Sequence, residues 1–300
     1  MKLALLLAAA LAALPCVPVQ AAAPAPSAYA NPAFSAPLDA GLRAFYARDF
    51  TTARTQFETA LAVVPENSLA LAFLNATAAQ TPGTLDALIA TEESRPGGDS
   101  HGYRTQLQLG FSYLFASAEG RDRSADARAA FEAAVAARPD APGAHVGLGI
   151  LRADDRSANR AKVEFLTALA ADPSDVLARE YLATIYQVDL KDPRRALSYA
   201  IAVPNAVPEY ADIDFHIASA LHDLHQTQPA IEYATRGLAI DVGHVGEAGR
   251  HGYTLLARIY LDAKRLDDAR RVLRAAISAG LDVAYAQTLL TRVDAGDYAK

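Results

Sequence analysis

The chain has 300 residues, 52% of them apolar and 21% charged, with a formal net charge of −6. That balance folds rather than staying disordered, and an acidic chain without a basic cluster excludes strong attraction to a phosphate backbone, so nucleic acid is not an expected partner. Its only cysteine, Cys16, excludes an intrachain disulfide, and stability has to come from packing.

Taken from the start, Met1 and Lys2 lead into the apolar run Leu3 to Leu14, and Val19-Gln20-Ala21 ends in small residues. This is the pattern of a signal peptide over 1–21, cut after Ala21. A run of about a dozen apolar residues falls short of the roughly 20 that span a bilayer, so removal is expected rather than anchoring. The expected address is therefore secreted, in a bacterial periplasm, with no transmembrane span after signal removal. Pro15 stands where a lipoprotein would carry a small residue before its cysteine, which argues against lipidation of Cys16; a retained or lipidated start would instead leave the protein tethered. Loss of Lys2 takes the net charge from −6 to −7. Residues 22–37 are rich in Ala and Pro, which favours an extended, poorly ordered linker; we bound it at 22–33.

From residue 34 to 281 the chain repeats. Ala53, Ala87, Ala127, Ala161, Ala196, Ala230 and Ala269 follow one another at intervals of 34, 40, 34, 35, 34 and 39 residues. Twelve residues after four of them stands a proline (Pro65, Pro139, Pro173, Pro208), and four after three of them a phenylalanine (Phe57, Phe131, Phe165). Each unit reads as two helices with the alanine in the second, where a small side chain lets the helices approach to about 8–10 Å. Proline then stops the second helix, and a following acidic or small polar residue, as in Pro139-Asp140 and Pro173-Ser174, suits the next cap. Units that bury their faces only against neighbours stack into a solenoid.

These residues resemble the tetratricopeptide repeat family. The fourth unit agrees best, with Leu148-Gly149 in the first helix and Ala161, Phe165, Ala168 and Pro173 in the second; Leu182-Ala183, Ile217-Ala218 and Leu256-Ala257 repeat the first-helix pattern, and Gly41 takes that part in the first unit. The resemblance implies an all-α, right-handed superhelical solenoid of about seven helix-turn-helix units, with Val283 to Val293 a capping helix within 282–300. The second unit departs from the pattern, with Asn75 and Thr91 where a small residue and an aromatic belong, and rests mainly on Ala87. Insertions around Ser117 to Arg123 and Val242 to Gly249 account for the long steps and are expected to be surface loops.

In that family first helices line a concave groove that holds a protein or peptide. Counting from the anchors puts Leu38, Leu42, Phe45, Arg104, Leu107, Phe111 and Leu114 on this face in the first and third units. The fifth to seventh contribute Glu180, Thr184, Gln187, Asp212, Phe215, Ser219, His222, His251 and Arg258. The groove would be apolar at one end and polar at the other, gripping hydrophobic side chains and fixing direction. An aromatic stripe at helical spacing is equally what core packing produces. The lysine, asparagine and arginine set with which the family captures a terminal carboxylate is missing, since only Arg104 and Arg258 fall on groove positions.

Residues for chemistry are sparse. His222 and His225 lie three apart on one helix and, with His251, would be the ligands of a metal-dependent enzyme, the alternative to a binding role. No HExxH element, GxSxG nucleophile or phosphate loop accompanies them. Adjacent acids such as Asp154-Asp155 diverge on a helix and do not face one substrate. Asn75-Ala76-Thr77 fits a glycosylation sequon but lies inside a predicted helix. The sequence thus reads as a non-enzymatic interaction scaffold or adaptor of the cell envelope, with no cofactor and a protein or peptide partner.

Overall fold

The computed structural model describes residues 27–94, 102–118, 120–155, 157–246 and 249–297; the signal peptide expected at 1–21 lies outside them. The chain enters through a 3-10 turn at Ala28–Ala30, and Asn31 caps the first helix by accepting from the Ala33 amide at 3.0 Å, with Pro32 preset for its first turn. Tyr29 is buried, edge-on to Phe34, and its hydroxyl accepts from Asn67 at 3.1 Å. The linker expected through Pro37 is therefore packed structure from residue 28 onward, because Tyr29 gives this Ala/Pro stretch one large apolar anchor.

Seven helix pairs follow among the described residues. They are α1 (Pro32–Tyr46) with α2 (Phe50–Val63), α3 (Ser68–Ala79) with α4 (Thr84–Glu93), and α5 (Tyr103–Ala118) with α6 (Ser124–Ala137). Next come α7 (Pro142–Asp154) with α8 (Ala158–Ala171), then α9 (Val176–Val188) with α10 (Pro193–Ala200) and a short α11 (Val203–Ala206). The last are α12 (Ala211–Asp223) with α13 (Thr227–Ile240) and α14 (Gly252–Asp262) with α15 (Leu266–Ser278), and α16 (Val283–Asp294) closes the stack. Helix α16 turns Ala286, Leu289 and Val293 onto α15, covering its apolar face. No strand occurs among the described residues, and no helix there is long and apolar enough to cross a membrane.

Pairing within a unit is a fit between a small residue on the first helix and a ring on the second. A methyl group added at Gly41, Gly110 or Gly149 would lie 2.5–2.6 Å from Phe57, Phe131 or Phe165 respectively. The anchors Ala53, Ala127, Ala161, Ala230 and Ala269 are all fully buried, and Ala196 nearly so. Caps fall slightly later than the sequence suggests: Asp175, not Ser174, accepts from Ala178 N–H to start α9, and α7 begins at Pro142 without a side-chain cap.

The second unit exists, but not in the expected register. Ala87 is exposed, whereas Leu85, Ile89 and Glu92 face inward along α4. Leucine in place of the alanine keeps α3 and α4 apart, and α4 leans on α5 instead. Freed from a close partner, α3 is buried on every side, its sequence SLALAFLNATAA apolar all round. It touches α1, α5, α7 and α9, so it lies on the inner side of the curve. Its polar groups are satisfied there: Asn75 donates to Leu71 O at 2.8 Å and accepts from Ser112 at 2.8 Å, and Ser68 donates to Asp175 at 2.8 Å.

The curvature brings the first two units onto the sixth. Arg43 pairs with Glu209 at 3.0 Å, the Tyr46 hydroxyl donates to Asp212 Oδ2 at 3.0 Å, and Phe73 meets Tyr210 edge-on at 5.6 Å between centroids. The insertion after α13 is more than a surface loop. The Gly243 amide donates to the Tyr46 carbonyl at 2.7 Å, and Asp241 turns the loop by accepting from Val245 and Gly246. The other insertion is pinned locally, Ser117 accepting from the Arg123 amide at 2.8 Å.

Candidate functional site: the concave face

The apolar half of the expected groove is already filled. Leu42 and Phe111 are fully buried, and Phe45 and Phe215 are 5% and 3% exposed. Phe45 is enclosed by Phe50 and by Phe73 of α3, Phe111 packs edge-on against Phe131 of its own unit, and Phe215 lies against Gly237 and Gly252. Of the two readings open for these four side chains, core packing is the one the burial favours: α3 occupies the curve at one end, and packing within and between units takes the rings at the other. Arg104 is exposed at the start of α5, sharing Glu66 with Arg138, which also covers the Tyr103 ring at 4.1 Å.

At the seam between units one and six the inner face is polar and dry. Asp212 accepts from Tyr46 and lies near Glu180, His216 and Asp241; burial, then the Glu180 charge, pushes its carboxyl up to about 7. Glu180 accepts from the Tyr210 hydroxyl and stands 3.5 Å from His216 Nε2. Burial first, and nearby carboxylates second, raise both tyrosine hydroxyls well above their ordinary range. Glu180 is thus a partly buried residue of the seam, engaged by Tyr210 and His216.

What stays accessible is a polar strip on the C-terminal halves of three consecutive first helices. Thr184 and Gln187 come from α9, Ser219, His222 and Asp223 from α12, and Arg258 and Asp262 from α14. Gln187 donates to Ser219 at 3.4 Å and to Asp223, and His222 Nε2 stands 3.1 Å from Asp262 Oδ2. Gln187 and His222 are half-buried while Arg258 is exposed. The chemistry offered is amide, hydroxyl, imidazole and guanidinium within one band, suited to hydrogen-bonding a chain rather than burying apolar side chains.

The three histidines do not converge. His222 faces Asp262, His225 is exposed in a turn at φ 60, and His251 Nδ1 pairs with Asp282 at 2.6 Å. Among the described residues no group of three or more His, Cys, Asp or Glu side chains is arranged to hold a metal ion.

The tetratricopeptide repeat family model matches residues 38–81 and 115–176, that is, the first unit with α3 and a stretch from the end of α5 to the start of α9. Over these two stretches the chain is similar to tetratricopeptide repeats. No curated protein matches it in sequence. Among solved structures of tetratricopeptide repeat proteins, it is similar to YrrB, described as having an unusual peptide-binding site, at 20% identity and TM-score 0.49 over 67% of this chain and 95% of that one. TTC0263, a thermophilic protein of Thermus thermophilus, shares 21% identity at TM-score 0.45, covering 63% of this chain and 99% of its own. The human IFIT1 dimer with m7Gppp-AAAA superposes at TM-score 0.59 with 16% identity, over 81% of this chain and 58% of that one. At such identities the likeness is one of fold. Tetratricopeptide proteins are generally protein-interaction scaffolds.

Sequence reasoning missed Tyr46, Tyr210 and His216, which build the seam, and Asp262, which faces His222. Tyr46 and Tyr210 are invisible to a count that assigns groove positions within a unit, since the Tyr46–Asp212 and Phe73–Tyr210 contacts join units far apart in sequence. One signal was available: α3 is apolar around its whole circumference, and a helix of that kind is buried on all sides.

Proposed function

We propose that this tetratricopeptide array is a non-enzymatic scaffold or adaptor of the cell envelope. In this reading it is exported to a bacterial periplasm by residues 1–21 and binds a protein or peptide segment along the strip formed by α9, α12 and α14. The observation that carries the reading is the continuity of that strip: Gln187, Ser219, His222 and Arg258 offer donors and acceptors on adjacent helices, beside a groove whose apolar half the chain fills itself. A partner of matching chemistry is a polar, extended segment whose backbone amides and carbonyls exchange hydrogen bonds with these side chains.

A photo-crosslinker at Gln187 or Arg258, compared with one at Val163 on the outer side of α8, tests the assignment in the native envelope. Specific adducts from the strip alone are expected; equal adducts from both positions, or none from the strip, would remove it. Mass analysis of the mature N-terminus tests export, with a chain starting at residue 22 expected and retention of Met1 counting against it.

A further inference from the structure

The seam that closes the ring is built from acids and phenols. Asp212, the residue at its centre, is faced by Tyr46 from α1, Glu180 from α9, His216 on its own helix and Asp241 from the loop after α13. That loop covers the carboxylate closely: a methyl group on Gly246 would lie 2.6 Å from Asp212 Oδ1 and 3.1 Å from Asp241 Oδ2. On the other side of the same seam Asp39 of α1 faces Glu209 and Arg43, with one buried carboxylate oxygen lacking a hydrogen-bond partner. Five carboxyl groups thus crowd a junction whose facing cations are Arg43, largely exposed, Arg48 beside Gly243, and the imidazoles of His216 and His244 when protonated. Ionising the buried Asp212, Asp39 and Asp241 in the closed form sets their charges against the neighbouring carboxylates at a site withdrawn from solvent.

We propose that this junction is a proton-operated clasp: with Asp212, Asp39 and Asp241 neutral, units one and two are held on the sixth unit, and with these three ionised the contact between Tyr46, Phe73 and the sixth unit opens. The moving parts are the contacts that cross the seam, namely Tyr46 to Asp212, the Gly243 amide to the Tyr46 carbonyl, and Phe73 against Tyr210. Opening uncovers Phe73, which lies against Tyr210 in the closed form. The clasp is a property of the chain itself and stands whether or not the polar strip binds a partner.

The sign follows from where the proton binds. Asp212 is raised from 3.8 to about 7 and Asp39 from 3.8 to about 6 in the closed form, burial being the first cause in each, and Asp241 is raised also by burial. The closed form therefore takes up protons that the open form releases. Closure is complete at low pH and is lost as pH rises through about 7. Between pH 5 and 8 a single group of this kind lowers the closed-to-open ratio by about 100-fold.

The Gly243 amide reports the seam directly, because its acceptor lies on the other side. Hydrogen exchange of peptides covering 241–246 in the full chain, corrected for intrinsic pH dependence, is expected to show protection falling by about 1000-fold from pH 5 to pH 8, about 100-fold of it from Asp212 and about tenfold from Asp39. In Asp212→Asn, which keeps an acceptor for Tyr46 but cannot ionise, that fall shrinks to about tenfold or less. Tyr46→Phe removes a donor that favours the ionised Asp212 carboxylate in the closed form, so protection drops more at pH 8 than at pH 5 and the fall steepens. Small-angle scattering of the unmodified protein supplies an independent readout, with a larger radius of gyration at pH 8 than at pH 5. Protection and radius both unchanged over this range, or an Asp212→Asn slope equal to that of the parent chain, would overturn the clasp.

Discussion

A methyl group on Gly147 would lie 2.2 Å from the Phe131 ring, which is itself fully buried. The ring has no free side to move toward, so Gly147→Ala overpacks the α6–α7 contact and is expected to cost about 1–3 kcal/mol in a denaturant titration. A midpoint equal to that of the parent would show that the ring can relax. Another residue-scale contact joins α7 to α8: Glu164 accepts from His145 Nδ1 at 2.7 Å and pairs with Arg152 at 2.6 Å, and all three are at least half-buried. The Glu164 hydrogen bond raises His145 above its ordinary 6.5, and the same bond, aided by Arg152, holds Glu164 below its ordinary 4.5. Stabilisation from His145 is full below 6.5 and is lost as pH climbs through its raised value; that from Glu164 is full above 4.5 and is lost as pH falls through its lowered one. The pair is thus strongest between these two ordinary values. Replacing Glu164 with Gln is expected to cost about 1–3 kcal/mol and to bring the His145 titration, followed by NMR, down toward its ordinary position. An unmoved titration would mean that the contact is not made in solution.

At the scale of elements, α4 separates what periodicity says from what packing requires. The 34-residue spacing selects Ala87, yet Leu85 and Ile89 are 2% and 5% exposed and Ala87 faces water. Leu85→Ala should therefore destabilise by about 2–5 kcal/mol, whereas Ala87→Ser should stay within about 0.5 kcal/mol. Thermal melts with the order reversed would restore the original register. The same comparison explains why the second unit looks degenerate. A leucine at the anchor and an asparagine at position 75 are errors for a tightly paired unit, but they are suitable for a helix that lies inside the curve, where Asn75 is shared between Leu71 and Ser112.

For the whole molecule, closure decides which part of the concave face can meet another chain. Substituting Arg258 with Glu or His222 with Ala alters the accessible strip without touching the filled apolar end, and each is expected to weaken partner capture by tenfold or more in Kd, about 1.4 kcal/mol. Val163→Glu on the outer side of α8 should leave capture unchanged. Binding that responds equally to all three substitutions, or to none, would locate the partner elsewhere on the solenoid.

Repeat length, helix pairing and the terminal cap are local properties, and the sequence alone determined them. A small residue opposite a phenylalanine, a proline at a helix end and an apolar stripe each act within one unit or between neighbours, so their period can be read directly as in Gly149, Phe165 and Pro173. Which groove residues are free was decided only by the tertiary structure. Tyr46 meets Asp212, and Ser68 meets Asp175, because small rotations between successive units add up until distant units touch. No single unit carries a record of that sum, and the same accumulated curvature turned an expected binding groove into a closed and largely filled interior.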